Sequence, residues 1–170
     1  MKFIDKHKSL NFDKRKKGSA VNYIIIHYTA IKNYKEAISH LCDNNNKVSS
    51  HFLICKTGEI FYLVDLIHRA WHAGKSYWKG QIDINSKSIG IEMDNSGHHF
   101  NFENYTQKQI NSLIILLKKI SKKYKIRHQN ILGHSDIAPY RKIDPGERFP
   151  WKQLIRNNLS FFPKKLNLNK

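Results

Sequence analysis

The segment that most constrains this chain is Tyr23-Ile24-Ile25-Ile26-His27, a short apolar run rich in β-branched residues that ends on an imidazole. A continuous run of this length and composition reads as a buried strand, here over residues 22–27. Comparable strands are expected at residues 51–55 and 60–64, joined across Lys56-Thr57-Gly58-Glu59 as a hairpin. Two more are expected at residues 88–93 and 130–134.

Helical signals fall between the strands. Residues 34–41 suit a short helix. Residues 106–124 carry the clearest helical pattern, with Thr106 and Gln109 as a capping box and Ile110, Leu113, Ile114 and Leu117 at i, i+3, i+4 and i+7. Lys118, Lys119, Lys122 and Lys123 crowd its end, where cations suit the helix dipole. A last helix is expected over residues 151–158. Strands interleaved with helices imply an α/β fold, a single domain with a central mixed sheet flanked by helices. The 170 residues fit one domain. A chain of this size buries roughly 70% of its unfolded surface, so it needs neither disulfide nor metal merely to fold. Residues 1–20 read as a basic, loosely held arm, residues 21–160 as the folded domain, and residues 161–170 as a basic tail. Residues 66–87 and 135–150 read as loops. The first holds Trp71, His72, Gly74 and Trp78, and a loop of that length in a compact domain tends to be functional or disordered.

The formal charge is +17, from 30 Lys and Arg against 13 Asp and Glu. Such a balance attracts polyanions, yet Lys, Asn and Ile are all abundant, as an AT-rich genome would produce, and coding bias is the preferred account. A nucleic-acid binder would need an interleaved basic–aromatic surface or a known reader motif, and neither is present. Cys42 and Cys55 form no CxxC pair and read as small hydrophobic residues. The first 20 residues are charged throughout, without the apolar core of a signal peptide, and no transmembrane run occurs. The expectation is therefore a cytoplasmic monomer, with the cell envelope as the alternative compartment.

Chemistry is concentrated at strand ends. With 10 histidines in the chain, no single one carries weight, but His27 ends one apolar strand and His134 ends another, where ligands of open α/β sheets bind. Two such histidines need one carboxylate or thiolate to complete the three-ligand set of catalytic zinc. Asp136 and Asp144 both qualify, and residue chemistry leaves the choice open. In Ser88-Ile89-Gly90-Ile91-Glu92-Met93 the side chains alternate, so Ile89, Ile91 and Met93 share the core face. Glu92 then lies on the opposite face, with room left beside it by Gly90. A half-buried carboxylate there suits a general base acting on a water at the metal.

Seven segments, IIIHYTA, VSSHFLI, GEIFYLV, AWHAG, SIGIEMDN, GHSDIAPYRKIDPG and FPW, together resemble bacterial N-acetylmuramoyl-L-alanine amidases of the type-2 amidase family, in the order seen there. The resemblance spans about residues 20–156 and extends to phage amidases and peptidoglycan recognition proteins. It implies one zinc ion per chain held by His27, His134 and Asp144, with Asp136 left to a structural role. It implies Glu92 as catalytic acid/base and Lys142 as the cation that stabilises the oxyanion. Trp71, His72, Ala73 and Gly74 resemble a substrate-groove segment, and Asn95 would bond the stem peptide. The implied reaction is hydrolysis of the bond between N-acetylmuramic acid, or its 1,6-anhydro form, and L-alanine in peptidoglycan fragments, for wall recycling or turnover. Phage members use Cys as third ligand; Asp144 and Ser50 place this chain nearer the bacterial branch. The alternative is a non-catalytic peptidoglycan-binding module, which would lack a complete ligand set.

Overall fold

The computed structural model describes residues 2–161. Among these, the strands are β1 (Phe3–Ile4), β2 (Phe12–Lys14), β3 (Tyr23–Tyr28), β4 (Phe52–Ile54), β5 (Ile60–Tyr62), β6 (His68–Ala70), β7 (Ser88–Met93) and β8 (Ile131–Gly133). The helices are α1 (Tyr34–Cys42), α2 (Ile84–Lys87), α3 (Gln107–Tyr124), α4 (His134–Ile137) and α5 (Trp151–Arg156). A six-stranded sheet has the order β1-β5-β4-β7-β3-β8, and β2 pairs with β6 in a separate ribbon. Within the large sheet β4 and β5 run antiparallel as the expected hairpin, while β3 is parallel to both β7 and β8. The sheet is mixed, flanked by helices, and forms one α/β domain.

Alternation along the strands divides the chain into layers. Ile24, Ile26, Ile89, Ile91 and Met93 pack on the α3 side against Ile110, Leu113 and Leu117. The capping box that opens α3 is formed, with Thr106 accepting from the Gln109 amide and the Gln109 side chain accepting from the Thr106 amide. On the other side of the sheet, Leu53 and Phe61 meet Ala37, Ile38 and Leu41 of α1, and Ile25 and Leu132 meet Ala73, Ile84 and Ile137. Each fully buried isoleucine contributes roughly 1.5–3 kcal/mol from area removed from water. His27 and Glu92 fall on this second side, the same side as Ile25, and Cα of one stands opposite Cα of the other in the β3–β7 ladder.

Three expectations are revised. The segment expected to be a loose arm pairs at two short stretches, β1 with β5 and β2 with β6. Arg15 inserts beneath the sheet edge and donates to the carbonyls of Leu66, Asn85, Ser86 and Ser88. The segment is ordered by main-chain acceptors that no local pattern announces. The expected loop 66–87 contains β6 and α2, and the loop 135–150 begins with α4; both helices span 4 residues, too short to show periodicity. The expected tail, apart from Phe161, lies outside the described residues. Among the described residues, no helix is long and apolar enough to cross a membrane.

Candidate metal centre and active site

Three chain segments deliver the central cluster. His27 comes from the carboxyl end of β3, and His134 opens α4 directly after β8, whose Gly133 pairs with Ile26. Asp144 comes from the following loop, fixed because Ser135 N–H donates to the Asp144 carbonyl at 2.9 Å and the Tyr105 hydroxyl donates to the Pro145 carbonyl at 2.7 Å. Gly133 is required for that closure, since a Cβ there would sit 2.7 Å from Pro145 Cδ.

The three side chains converge atom to atom. His27 Nδ1 lies 2.9 Å from His134 Nδ1, and Asp144 Oδ2 lies 3.2 Å from the first and 3.1 Å from the second. All three residues are buried, and among the described residues this is the one group of histidine, cysteine or carboxylate side chains with metal-ligand spacing. Burial, then the neighbouring His134, pushes His27 down to about 4, so it is neutral at physiological pH. Burial alone would raise the Asp144 carboxyl, but the His134 and His27 imidazoles against its oxygen outweigh it and hold the group well below its ordinary range. The His27–Asp144 contact is therefore not an ion pair at neutral pH.

That arrangement fits a cation. The Ala73 carbonyl, which can only accept, lies 3.1 Å from His134 Nε2, so the proton of that ring belongs on Nε2. His134 Nδ1 is then a bare lone pair aimed at His27 Nδ1 and the Asp144 carboxylate. Two neutral imidazole nitrogens and one carboxylate oxygen are the donors catalytic zinc prefers, at about 2.0–2.2 Å from the ion. Tetrahedral geometry at such bond lengths separates ligand atoms by roughly 3.3 Å, close to the spacing found. A carbonyl behind a ligating histidine is also the usual outer partner that fixes its orientation.

These residues border a cavity of about 210 Å³ whose lining includes Glu92, Lys142, His72, Tyr28 and Thr29. Glu92 is only 9% exposed, and its Oε2 has no hydrogen-bond partner. Burial, reinforced by the Asp144 charge and opposed by Lys142, raises its carboxyl well above the ordinary value. The site thus holds a carboxyl poised to exchange a proton beside three converging donor side chains and a lysine. Asp136 stands apart from them, accepting the Gly133 amide at 2.7 Å as a helix-start cap.

The groove residues fare differently. Ala73 takes part through its carbonyl, which also accepts from Arg141 Nη2 at 2.8 Å. Gly74 is exposed beside Arg141, and Trp71 is half-buried. His72 was expected to face substrate, but both its ring nitrogens are engaged internally, Nδ1 with His27 Nε2 at 3.1 Å and Nε2 with Ser88 Oγ at 3.2 Å. Asn95 was expected to bond the stem peptide, yet its amide donates to the Glu103 carbonyl and its oxygen accepts from Gly97 N–H, so it ties down its own loop. The space expected beside Gly90 is filled by the His72 ring rather than left for a ligand, for a Cβ there would lie 2.5 Å from His72 Cγ. Arg141 was not anticipated. Neither was the pairing of the Tyr28 hydroxyl with His98 Nδ1 at 2.9 Å, backed by Glu147 on His98 Nε2.

The chain matches the family model described as N-acetylmuramoyl-L-alanine amidase over residues 17–147. It is 35% identical to N-acetylmuramoyl-L-alanine amidase AmiD of Escherichia coli K12, across 99% of this chain and 66% of that protein. It is 34% identical to 1,6-anhydro-N-acetylmuramyl-L-alanine amidase AmpD of Haemophilus influenzae, across 86% of this chain and 88% of the relative. Among solved structures it is similar to the complex of Escherichia coli AmiD with anhydro-N-acetylmuramic acid-L-Ala-D-gamma-Glu-L-Lys, with a TM-score of 0.79 at 35% identity. That likeness covers 89% of this chain and 63% of the other, so the chain spans just under two thirds of the AmiD chain's length.

Proposed function

This chain belongs to the N-acetylmuramoyl-L-alanine amidase family, and from that premise we propose that it hydrolyses the amide between the lactyl group of N-acetylmuramic acid, in ordinary or 1,6-anhydro form, and L-alanine of the stem peptide. The observation that carries the reading is the convergence of His27 Nδ1, His134 Nδ1 and Asp144 Oδ2 within 3.2 Å, beside a buried carboxyl with a free oxygen. Zinc held by those three atoms, one ion per chain, would polarise the lactyl carbonyl and acidify an attacking water. The relatives named above are amidases of this bond, and AmiD has been solved with an anhydro-muramyl peptide.

The residues divide the remaining work. Glu92 takes a proton from the attacking water as its oxygen bonds to the lactyl carbon. It then delivers that proton to the L-alanine nitrogen as the carbon–nitrogen bond breaks, releasing a muramic carboxylate and a peptide with a free amine. A raised carboxyl suits both halves of this exchange, and such a positioned group is worth about 10²–10⁴-fold in rate. Lys142 lines the same cavity, and its ammonium would offset the negative charge that grows on the carbonyl oxygen. Removing such a donor typically costs about 10²–10³-fold in kcat. Arg141 holds the Ala73 and Lys75 carbonyls together, which fixes the segment that orients His134.

The test is mass spectrometry of products from purified muropeptides supplied in anhydro and reducing-end forms. Release of intact stem peptide from at least one form is expected, and release from neither refutes the amidase assignment.

A further inference from the structure

Behind His27 runs a chain of hydrogen bonds whose direction is dictated at its far end. The Ile84 carbonyl can only accept, and the Ser88 hydroxyl donates to it at 2.7 Å, so the single hydroxyl hydrogen is spent there. Ser88 Oγ then offers only lone pairs to His72 Nε2, 3.2 Å away. The His72 proton therefore sits on Nε2, and its Nδ1 is left as an acceptor. His27 Nε2, 3.1 Å from that Nδ1, must donate. This leaves His27 Nδ1 bare, facing His134 Nδ1 and Asp144 Oδ2.

We propose that Ser88 and His72 are positioning residues that impose the metal-binding tautomer of His27. The Ile84 carbonyl sets the hydroxyl, the hydroxyl sets His72, and His72 sets His27. The inference rests on His27, His134 and Asp144 being metal ligands.

The surrounding structure holds each member of the relay in place. The main-chain amides of His72 and Ala73 both donate to Asn85 Oδ1, at 3.1 and 2.8 Å, so the ring enters from a fixed backbone. Gly90 gives the ring its seat on β7, because any Cβ there would overlap it. Arg15 Nη1 donates to the Asn85, Ser86 and Ser88 carbonyls at 3.0 Å each, clamping the junction of α2 and β7 from which the Ser88 hydroxyl projects. His72 is 6% exposed and Ser88 fully buried, so water does not compete for these bonds.

The experiment is zinc affinity of the full chain, read by competition with a chromogenic chelator, for wild type, Ser88→Ala, His72→Phe and His72→Asn. Loss of such an outer partner typically weakens metal binding about 10–100-fold, and that loss is expected for Ser88→Ala and His72→Phe. His72→Asn retains a side-chain oxygen near the Nδ1 position and is expected to recover most of the affinity. Nitrogen-15 spectra of the zinc-loaded wild type should show His72 protonated on Nε2, a readout that survives if a variant fails to fold. Wild-type affinity in both Ser88→Ala and His72→Phe, no recovery in His72→Asn, or a His72 proton on Nδ1 would each overturn the relay while leaving the metal centre standing. A wild-type chain that binds no zinc would overturn the metal centre itself, and the relay with it.

Discussion

His27 and His134 meet nitrogen to nitrogen, Nδ1 to Nδ1 at 2.9 Å, with the Asp144 carboxylate closing the triangle. Each ring carries its proton on the far side, His134 toward the Ala73 carbonyl and His27 toward His72. Three lone pairs pointed inward in a buried setting repel one another unless a cation lies among them. The cluster is thus suited to a cation by its hydrogen-bond accounting as well as by its spacing.

Asp144→Ala removes the one charged ligand, and zinc content measured by elemental analysis should fall from about one ion per chain toward zero. Asp136→Ala is the matched control. It should keep its zinc and lose about 0.5–2 kcal/mol of stability, because it deletes only the cap on the Gly133 amide. Unchanged zinc in Asp144→Ala would remove that residue from the ligand set.

Glu92→Gln preserves shape and hydrogen-bonding capacity but cannot carry a proton between water and amine. Zinc content should stay at the wild-type level while kcat drops about 10²–10⁴-fold. Full activity in this variant would assign the proton transfer to another group.

His51 supplies a pH dependence of stability. Burial first, and then the Arg15 guanidinium 3.1 Å from its Nε2, lower it from 6.5 to about 3 in the fold. The unfolded chain takes up this proton first, so the contribution is complete above about pH 6.5 and is lost as pH falls toward 3. At about 1.4 kcal/mol per pH unit, acidifying from pH 7 to 5 should cost roughly 2 kcal/mol from this group alone. His51→Asn keeps an acceptor for the Gly90 amide and should flatten that slope in urea unfolding at the two pH values. An equally steep loss in the variant would transfer the effect elsewhere.

Arg15 lies just ahead of the residues the family model matches, yet its guanidinium satisfies four main-chain carbonyls, three of them on buried residues. Arg15→Met should cost about 3 kcal/mol or more in chemical denaturation, since each buried acceptor left unpaired is worth roughly 1–3 kcal/mol. A change within about 0.5 kcal/mol, the usual scatter of surface substitutions, would mean the segment is as loose as its composition suggests.

Much of this organisation is written locally in the chain. The run Tyr23–Ile26 announces the central strand because its apolar, β-branched side chains suit a buried ladder, and His27 is visible as its end. Glu92 is placed on the side opposite Ile89 and Ile91 by alternation alone, although the depth of its burial is not legible there. Asp136 and Asp144 cannot be separated by local chemistry; only the fold of the loop around Pro145, or the family resemblance, distinguishes the inward-facing Asp144 from the capping Asp136. The contacts of Arg15, Arg141 and Ser88 leave no trace in the sequence because most of their partners are main-chain carbonyls, which every residue possesses. The internal partners of His72 and Asn95 are hidden for a related reason: a polar side chain in an aromatic or polar loop looks available to ligand until the fold shows what it bonds.

The most direct test is the fate of the oxygen that water contributes. Hydrolysis of an anhydro-muramyl peptide by the zinc-loaded chain in oxygen-18 water, followed by mass spectrometry, should place one heavy oxygen in the lactyl carboxylate of the sugar product and none in the released peptide. A heavy oxygen in a peptide carboxylate, or unlabelled and uncut substrate, would contradict the assignment of His27, His134, Asp144 and Glu92 to cleavage of the muramoyl–alanine bond.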